Sequence, residues 1–167
     1  MLKRQTSLIA TFLPALLLAA TGLAAGKEGV QITRLADRLR IEINGQLFTE
    51  YCYKDVPRPY YYPLLGPGNL PMTRKWPMEN PPGEEHDHPH HRSLWFAHGS
   101  INGQDFWSEQ PGSGKTVHED FDTIKSGKKF GIIKSHDKWV AADGTVFCTD
   151  DRVFKVYNPG PAGERVF

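Results

Sequence analysis

Nine of the 13 prolines fall between Pro57 and Pro89. Proline has no amide hydrogen to give to a ladder and fixes its own φ, so this stretch is a poor source of interior strands or helix. Regular structure therefore belongs on either side of it, and much of the middle is expected to be a long ordered loop. In compact domains such loops often carry function. Within it, Tyr60 to Leu65 reads as an edge strand and Gly66-Pro67-Gly68 as a turn.

Both flanks read as β structure. Val30 to Leu35, Leu39 to Ile43 and Gln46 to Tyr53 are short strands, with Asn44-Gly45 as a tight hairpin because both residues tolerate positive φ. Phe130 to Ile133, Lys138 to Ala142 and Thr145 to Tyr157 are rich in β-branched and aromatic residues, with Asp143-Gly144 as a second turn. Ser93 to Gly99 reads as a strand leaving the loop, followed by a turn at Asn102-Gly103 and then Gln104 to Trp107. There is no helical period outside the N-terminal segment and no internal repeat. The expected fold is all-β, an antiparallel β-sandwich formed as one domain over residues 26–167. Arg165-Val166-Phe167 looks like the start of another strand after a turn from Asn158 to Gly163, so the sandwich is expected to be incomplete at its C-terminal side.

Lys3 and Arg4 precede an apolar run from Leu8 to Ala20 and the small residues up to Ala25, the pattern of a secretory signal peptide over residues 1–25. The run is short for a bilayer span, so no stable membrane insertion is expected once it is removed. The expected location is periplasmic or extracellular. A net charge of +1 supplies no broad positive field for a phosphate backbone, which argues against a nucleic-acid partner. Export would place Cys52 and Cys148 in an oxidising compartment, where they are either a disulfide or two buried thiols.

The densest chemistry lies in Glu84-Glu85-His86-Asp87-His88-Pro89-His90-His91-Arg92, followed by Trp95 and His98. In an extended segment residues two apart share a face, so His86 and His88 can turn toward one divalent metal such as zinc, with His98 or His90 as a third ligand. Asp87, Glu84 or Glu85 would ligate the ion or orient an imidazole. A metal-free reading makes His90 and His91 general base and acid, with Glu85 and Asp105 as carboxylates and Arg92 binding a carboxylate or a developing oxyanion of the ligand. The bland reading is a solvated His-rich loop.

Gly112-Ser113-Gly114-Lys115-Thr116 invites a phosphate-loop reading, but Glu109 stands where that signature needs glycine, and neither the strand nor the helix it requires is evident. It is expected to be a flexible turn. Tyr61, Trp95 and Trp107 belong to an aromatic group in the same region, suited to sugar rings or other partly apolar small molecules, although each also suits a core.

Arg58-Pro59-Tyr60-Tyr61-Tyr62-Pro63-Leu64, Trp76-Pro77-Met78, the long His motif through Phe96, and Asn102-Gly103 with Asp105-Phe106-Trp107 together resemble a family. It is a bacterial, largely exported family of unassigned function, labelled methane oxygenase PmoA-like. The resemblance covers most of the mature chain and implies longer relatives, a β-sandwich and a setting in polysaccharide-using bacteria. The expected function is an exported enzyme-like domain acting on a carbohydrate-derived substrate through the His and carboxylate site, with or without a divalent metal. The rivals are a non-catalytic carbohydrate-binding module and a metal-dependent oxygenase.

Overall fold

Alternation of apolar and polar side chains builds the first sheet. The structure, a computed structural model, describes residues 28–158 and 165–167. The expected signal peptide and all but the first residue of the expected Asn158 to Gly163 turn lie outside the described residues. Strand β1 (Val30–Arg34) pairs antiparallel with β2 (Arg38–Ile43), in which Leu39, Ile41 and Ile43 are buried while Arg38, Arg40 and Glu42 take the other face. Asn44 and Gly45 have φ of 52° and 77°, the left-handed pair that a two-residue hairpin requires, and lead into β3 (Gln46–Cys52). Pairing of β2 with β3 slips by a residue between Ile41 and Glu42, so that Phe48 and Tyr51, three apart in sequence, are both buried.

The sheet continues through β4 (Tyr60–Tyr61) to β5 (Leu94–Trp95). The expected edge strand from Tyr60 to Leu65 is thus two residues long and lies inside the sheet, between β3 and β5. Pro59 and Pro63 bound it and have no amide to donate. The expected strand from Ser93 to Gly99 shrinks to Leu94–Trp95, with Ser93 at φ 60° marking its start.

The second sheet has the order β6 (Lys115–Lys125), β7 (Phe130–Val140), β8 (Val146–Tyr157), all antiparallel. The expected strands Phe130 to Ile133 and Lys138 to Ala142 are two ends of the single strand β7, which stops at Val140. Strand β6 had no counterpart in the sequence reading.

The two antiparallel sheets pack as a sandwich around Val30, Leu39, Ile41, Ile43, Phe48 and Tyr51 from one side and Ile133 and Val156 from the other. They pack tightly at Gly131, where an added Cβ would lie 2.6 Å from Cγ1 of Val30. The inner face of the second sheet also buries Ser135 and Asp137, which an apolar pattern would not place there. Cys52 and Cys148 are free thiols, and Cys148 is exposed. Among the described residues no helix is long and apolar enough to cross a membrane.

Candidate functional site

The loop between β4 and β5 is held by its own polar side chains. The Glu84 carboxylate accepts hydrogen bonds from the backbone amides of Lys75 and Trp76, each at 2.9 Å. Arg74 donates to the Asp87 carboxylate at 2.5 Å and to the carbonyls of Asp87 and His88 at 2.9 and 3.1 Å. The Trp76 indole donates to the same Asp87 carbonyl at 2.9 Å. These bonds satisfy backbone groups that no ladder reaches, which is how a proline-rich segment stays ordered. Arg74, and after it His88, hold the Asp87 carboxyl below its usual range.

The histidines divide into separate places. His86 stacks on Trp76 with ring centroids 4.1 Å apart, while the positive φ of His88, 42°, breaks the extended alternation that would have put the two on one face. His88 Nδ1 instead lies 2.7 Å from the Asp87 carboxylate, and Nδ1 of His98 accepts from the Ser100 amide at 3.3 Å. The expected ligand set of His86, His88 and His98 therefore does not come together. Among the described residues no three His, Cys, Asp or Glu side chains are arranged to hold an ion.

What does come together is His88, His90 and His91 with two indoles. The His91 ring lies 4.8 Å from His88 and 4.5 Å from His90, and Trp107 lies 6.0 and 5.8 Å from His90 and His91. Trp95 is 5.7 Å from His91 and 4.9 Å from Trp107. His91, Ser93, Trp95, Phe96, Ala97 and Trp107 line an open cleft of about 410 Å³. Burial, and then the charge of neighbouring imidazoles, lowers the pKa of His90 and of His91, with Arg58 and Arg74 respectively adding to the effect. Both rings are therefore predominantly neutral near pH 7, each with one nitrogen able to accept a proton.

Behind Trp95 sits Arg58, whose side chain is 1% exposed and whose guanidinium carbon is 4.9 Å from the Trp95 ring centroid. Its Nε is 3.3 Å from Glu109 Oε1, and none of its nitrogens makes a hydrogen bond among the described residues. Burial lowers the Arg58 pKa and Glu109 opposes that shift. Glu109 also accepts from Arg92 Nε at 3.0 Å and Nη2 at 2.8 Å. The expectation that Arg92 faces a ligand is corrected accordingly, because this fork is closed on Glu109. Sequence reasoning missed the support that Arg58 and Glu109 give to Trp95, and no local pattern links positions so far apart.

Asp105 also has a local task. Its carboxylate accepts from the Trp107 amide at 2.6 Å, from the Ser113 hydroxyl at 3.0 Å, and from the Ser108 hydroxyl and amide. The Ser108 hydroxyl above all lowers its pKa to about 2, so it stays ionised and fixes Trp107 rather than exchanging protons. Asn102 and Gly103 form the expected tight turn, with Ile101 and Gln104 bonded to each other at 3.0 Å, but β5 does not pair with Gln104 to Trp107. Those segments meet through Trp95 and Trp107 instead. Glu85 is exposed and makes no hydrogen bond or ion pair among the described residues. Tyr61 lies in a different cleft, 4.0 Å from Phe154 and 4.7 Å from Tyr51. Gly114 packs under Phe106, where a Cβ would lie 2.3 Å from the ring, and Lys115 opens β6, so no helix follows the phosphate-loop-like stretch.

A family model described as "Family of unknown function (DUF6807)" matches residues 38–167. No curated protein matches the chain, and no solved structure matches it.

Proposed function

The chain belongs to that family of unknown function, and on this premise we propose that it is an exported, enzyme-like domain acting on a carbohydrate-derived substrate in the cleft between His91, Trp95 and Trp107. The carrying observation is that two imidazoles biased to the neutral form pack against two indoles around one open cleft. Indole faces cover the C–H surface of a sugar ring, and a neutral imidazole accepts a proton from a sugar hydroxyl. His91, which lines the cleft, is the general base in this reading, and burial, then His88 and Arg74, lower its proton affinity. The apolar segment behind Lys3 and Arg4 supports export, and the likeness to bacterial PmoA-like proteins supports the polysaccharide setting. Oxygenase chemistry has less support, because the expected metal ligands stand apart. The rival, a carbohydrate-binding module without turnover, is favoured by one observation: Asp105 and Glu109 are both committed to holding the loop.

Titration of the protein with a panel of soluble oligosaccharides, followed by calorimetry and by product analysis, tests the proposal. Trp107→Ala should weaken binding by tenfold or more, whereas His91→Ala should leave binding within a few fold and abolish turnover. Binding without turnover in the unaltered protein selects the module. Absence of binding across the panel counts against both.

A further inference from the structure

On the opposite side of Trp95 and Phe96 a second cleft of about 380 Å³ opens between the two sheets, lined by Tyr51, Tyr61 and Phe154 as well as by Arg152. It is distinct from the His-lined cleft, with which it shares only Trp95 and Phe96. Its walls are aromatic, but its polar members come from strands that would ordinarily bury apolar side chains. Arg152 on β8 bonds Asp150 through Nε at 3.0 Å and Nη2 at 2.8 Å, and its Nε lies 3.3 Å from Asp137. Neither contact uses Nη1. Asp137 on β7 is 0% exposed, and His118 Nδ1 approaches it at 3.7 Å from β6. Tyr51, from the facing sheet, is buried, and its hydroxyl lies out of reach of solvent on the side of Ser135. Burial keeps the Tyr51 and Tyr61 phenols protonated, so both are donors.

Charge decides what such a cleft accepts. One guanidinium already faces two carboxylates, so a carboxylate ligand would bring a third anion to Arg152, and an ammonium would meet the guanidinium itself. A neutral oxygen meets neither penalty, and it offers an acceptor to the Tyr61 phenol and the Arg152 guanidinium that line the cleft. We infer that the inter-sheet cleft is a second subsite, taking a neutral, oxygen-bearing ring that is the neighbouring unit of the carbohydrate ligand. The inference rests on the carbohydrate reading of the first cleft. Aromatic walls, the Tyr51 ring among them, hold the ring faces, and Tyr61 and Arg152 address its oxygen atoms.

Two of the four tryptophans separate the clefts experimentally, because Trp107 borders the first alone and the Trp139 indole donates at 2.9 Å to Asp150, the carboxylate that also holds Arg152 of the second. Indole N–H resonances of the full chain are followed by NMR during titration with cellobiose, maltose and the methyl glucosides. A disaccharide is expected to shift Trp107 and Trp139 together with one dissociation constant. Tyr61→Phe, which keeps the ring, should weaken that binding about fivefold, the worth of one hydrogen bond, while leaving the Trp107 response to a monosaccharide unchanged. Phe154→Leu, which alters only a wall, should weaken it in the same selective way. Saturable shifts at Trp107 without Trp139 overturn the second subsite and leave the first cleft standing. Shifts at Trp139 alone keep the inter-sheet cleft and overturn the first. If neither indole responds to any of these sugars, both readings fall, and Tyr61→Phe without effect on the disaccharide overturns the subsite.

Discussion

The guanidinium of Arg58 lies 4.9 Å from the ring of Trp95 and is paired with a carboxylate, Glu109, that Arg92 also grips. Removing a buried cation is tolerable when its partner keeps another, whereas removing a shared anion strands two cations. Arg58→Met is therefore expected to cost less than ~1 kcal/mol and Glu109→Gln ~3 kcal/mol or more. Urea unfolding of the two variants checks this. Equal losses would show that Glu109 does not depend on Arg92.

Stability should also depend on pH through two opposed groups of histidines. Burial lowers the folded-state pKa of His90 and His91, so unfolded chains take up protons first as pH falls through about 6.5, and stability drops there. His136 is raised by Asp151 at 2.5 Å, so its contribution is present below that pH and is lost as pH rises through its folded pKa. His136→Gln should therefore sharpen the acid-side loss. Histidine titrations by NMR, with melting curves between pH 8 and pH 5, would expose a wrong sign in either group.

Asp105→Ala removes the acceptor for the Trp107 amide and the Ser108 and Ser113 hydroxyls. By analogy with a lost helix cap, the expected cost is ~1 kcal/mol, with faster depolarisation of Trp107 fluorescence. Trp107 itself is 40% exposed, so Trp107→Ala should affect binding far more than melting. The Asp105 carboxyl is held down at about 2, so its contribution persists above the ordinary carboxylate range and disappears only as pH falls through that value.

Gly131→Ala puts a methyl group 2.6 Å from Val30 Cγ1, on the face of β7 that meets the first sheet. The expected loss is ~1 to 3 kcal/mol from overpacking. Val30→Ala in the same chain should return part of it, and a double-mutant cycle without coupling would place the strain elsewhere.

Legibility in the sequence followed the regularity of each element. The hairpin at Asn44-Gly45 and the strands around it were readable because Leu39, Ile41 and Ile43 alternate cleanly with charged residues. Strand β6 was not readable, since irregular pairing at His118/Asp120 and at Phe121/Thr123 destroys the two-residue period that identifies a strand. Strand β7 looked like two fragments because Ser135 and Asp137 occupy its inward positions. In the candidate site the aromatic and His content was legible. The separation of His86 from His88 was not, because it depends on one left-handed residue and on an Arg74 that binds carbonyls many positions away.

The charged inward residues of the second sheet also act on folding fidelity. Gly131, Ile133, Ser135, Asp137 and Trp139 face the core from β7, with Ser135 opposite Arg152 and Asp137 opposite Asp150. A mispaired hairpin displaced by one residue would turn Lys134, His136 and Lys138 inward and bring Lys134 or His136 across from Arg152, while Ile133 and Trp139 would face water. Such a slip would bury Lys134, His136 and Lys138 beside Arg152 and carry Asp137 to the outer face, leaving Asp150 alone to face them. The pairing of Asp137 with Arg152 thus works as a proofreading mark on β7 and β8, rejecting the nearest wrong alignment even where its own net contribution to stability is small.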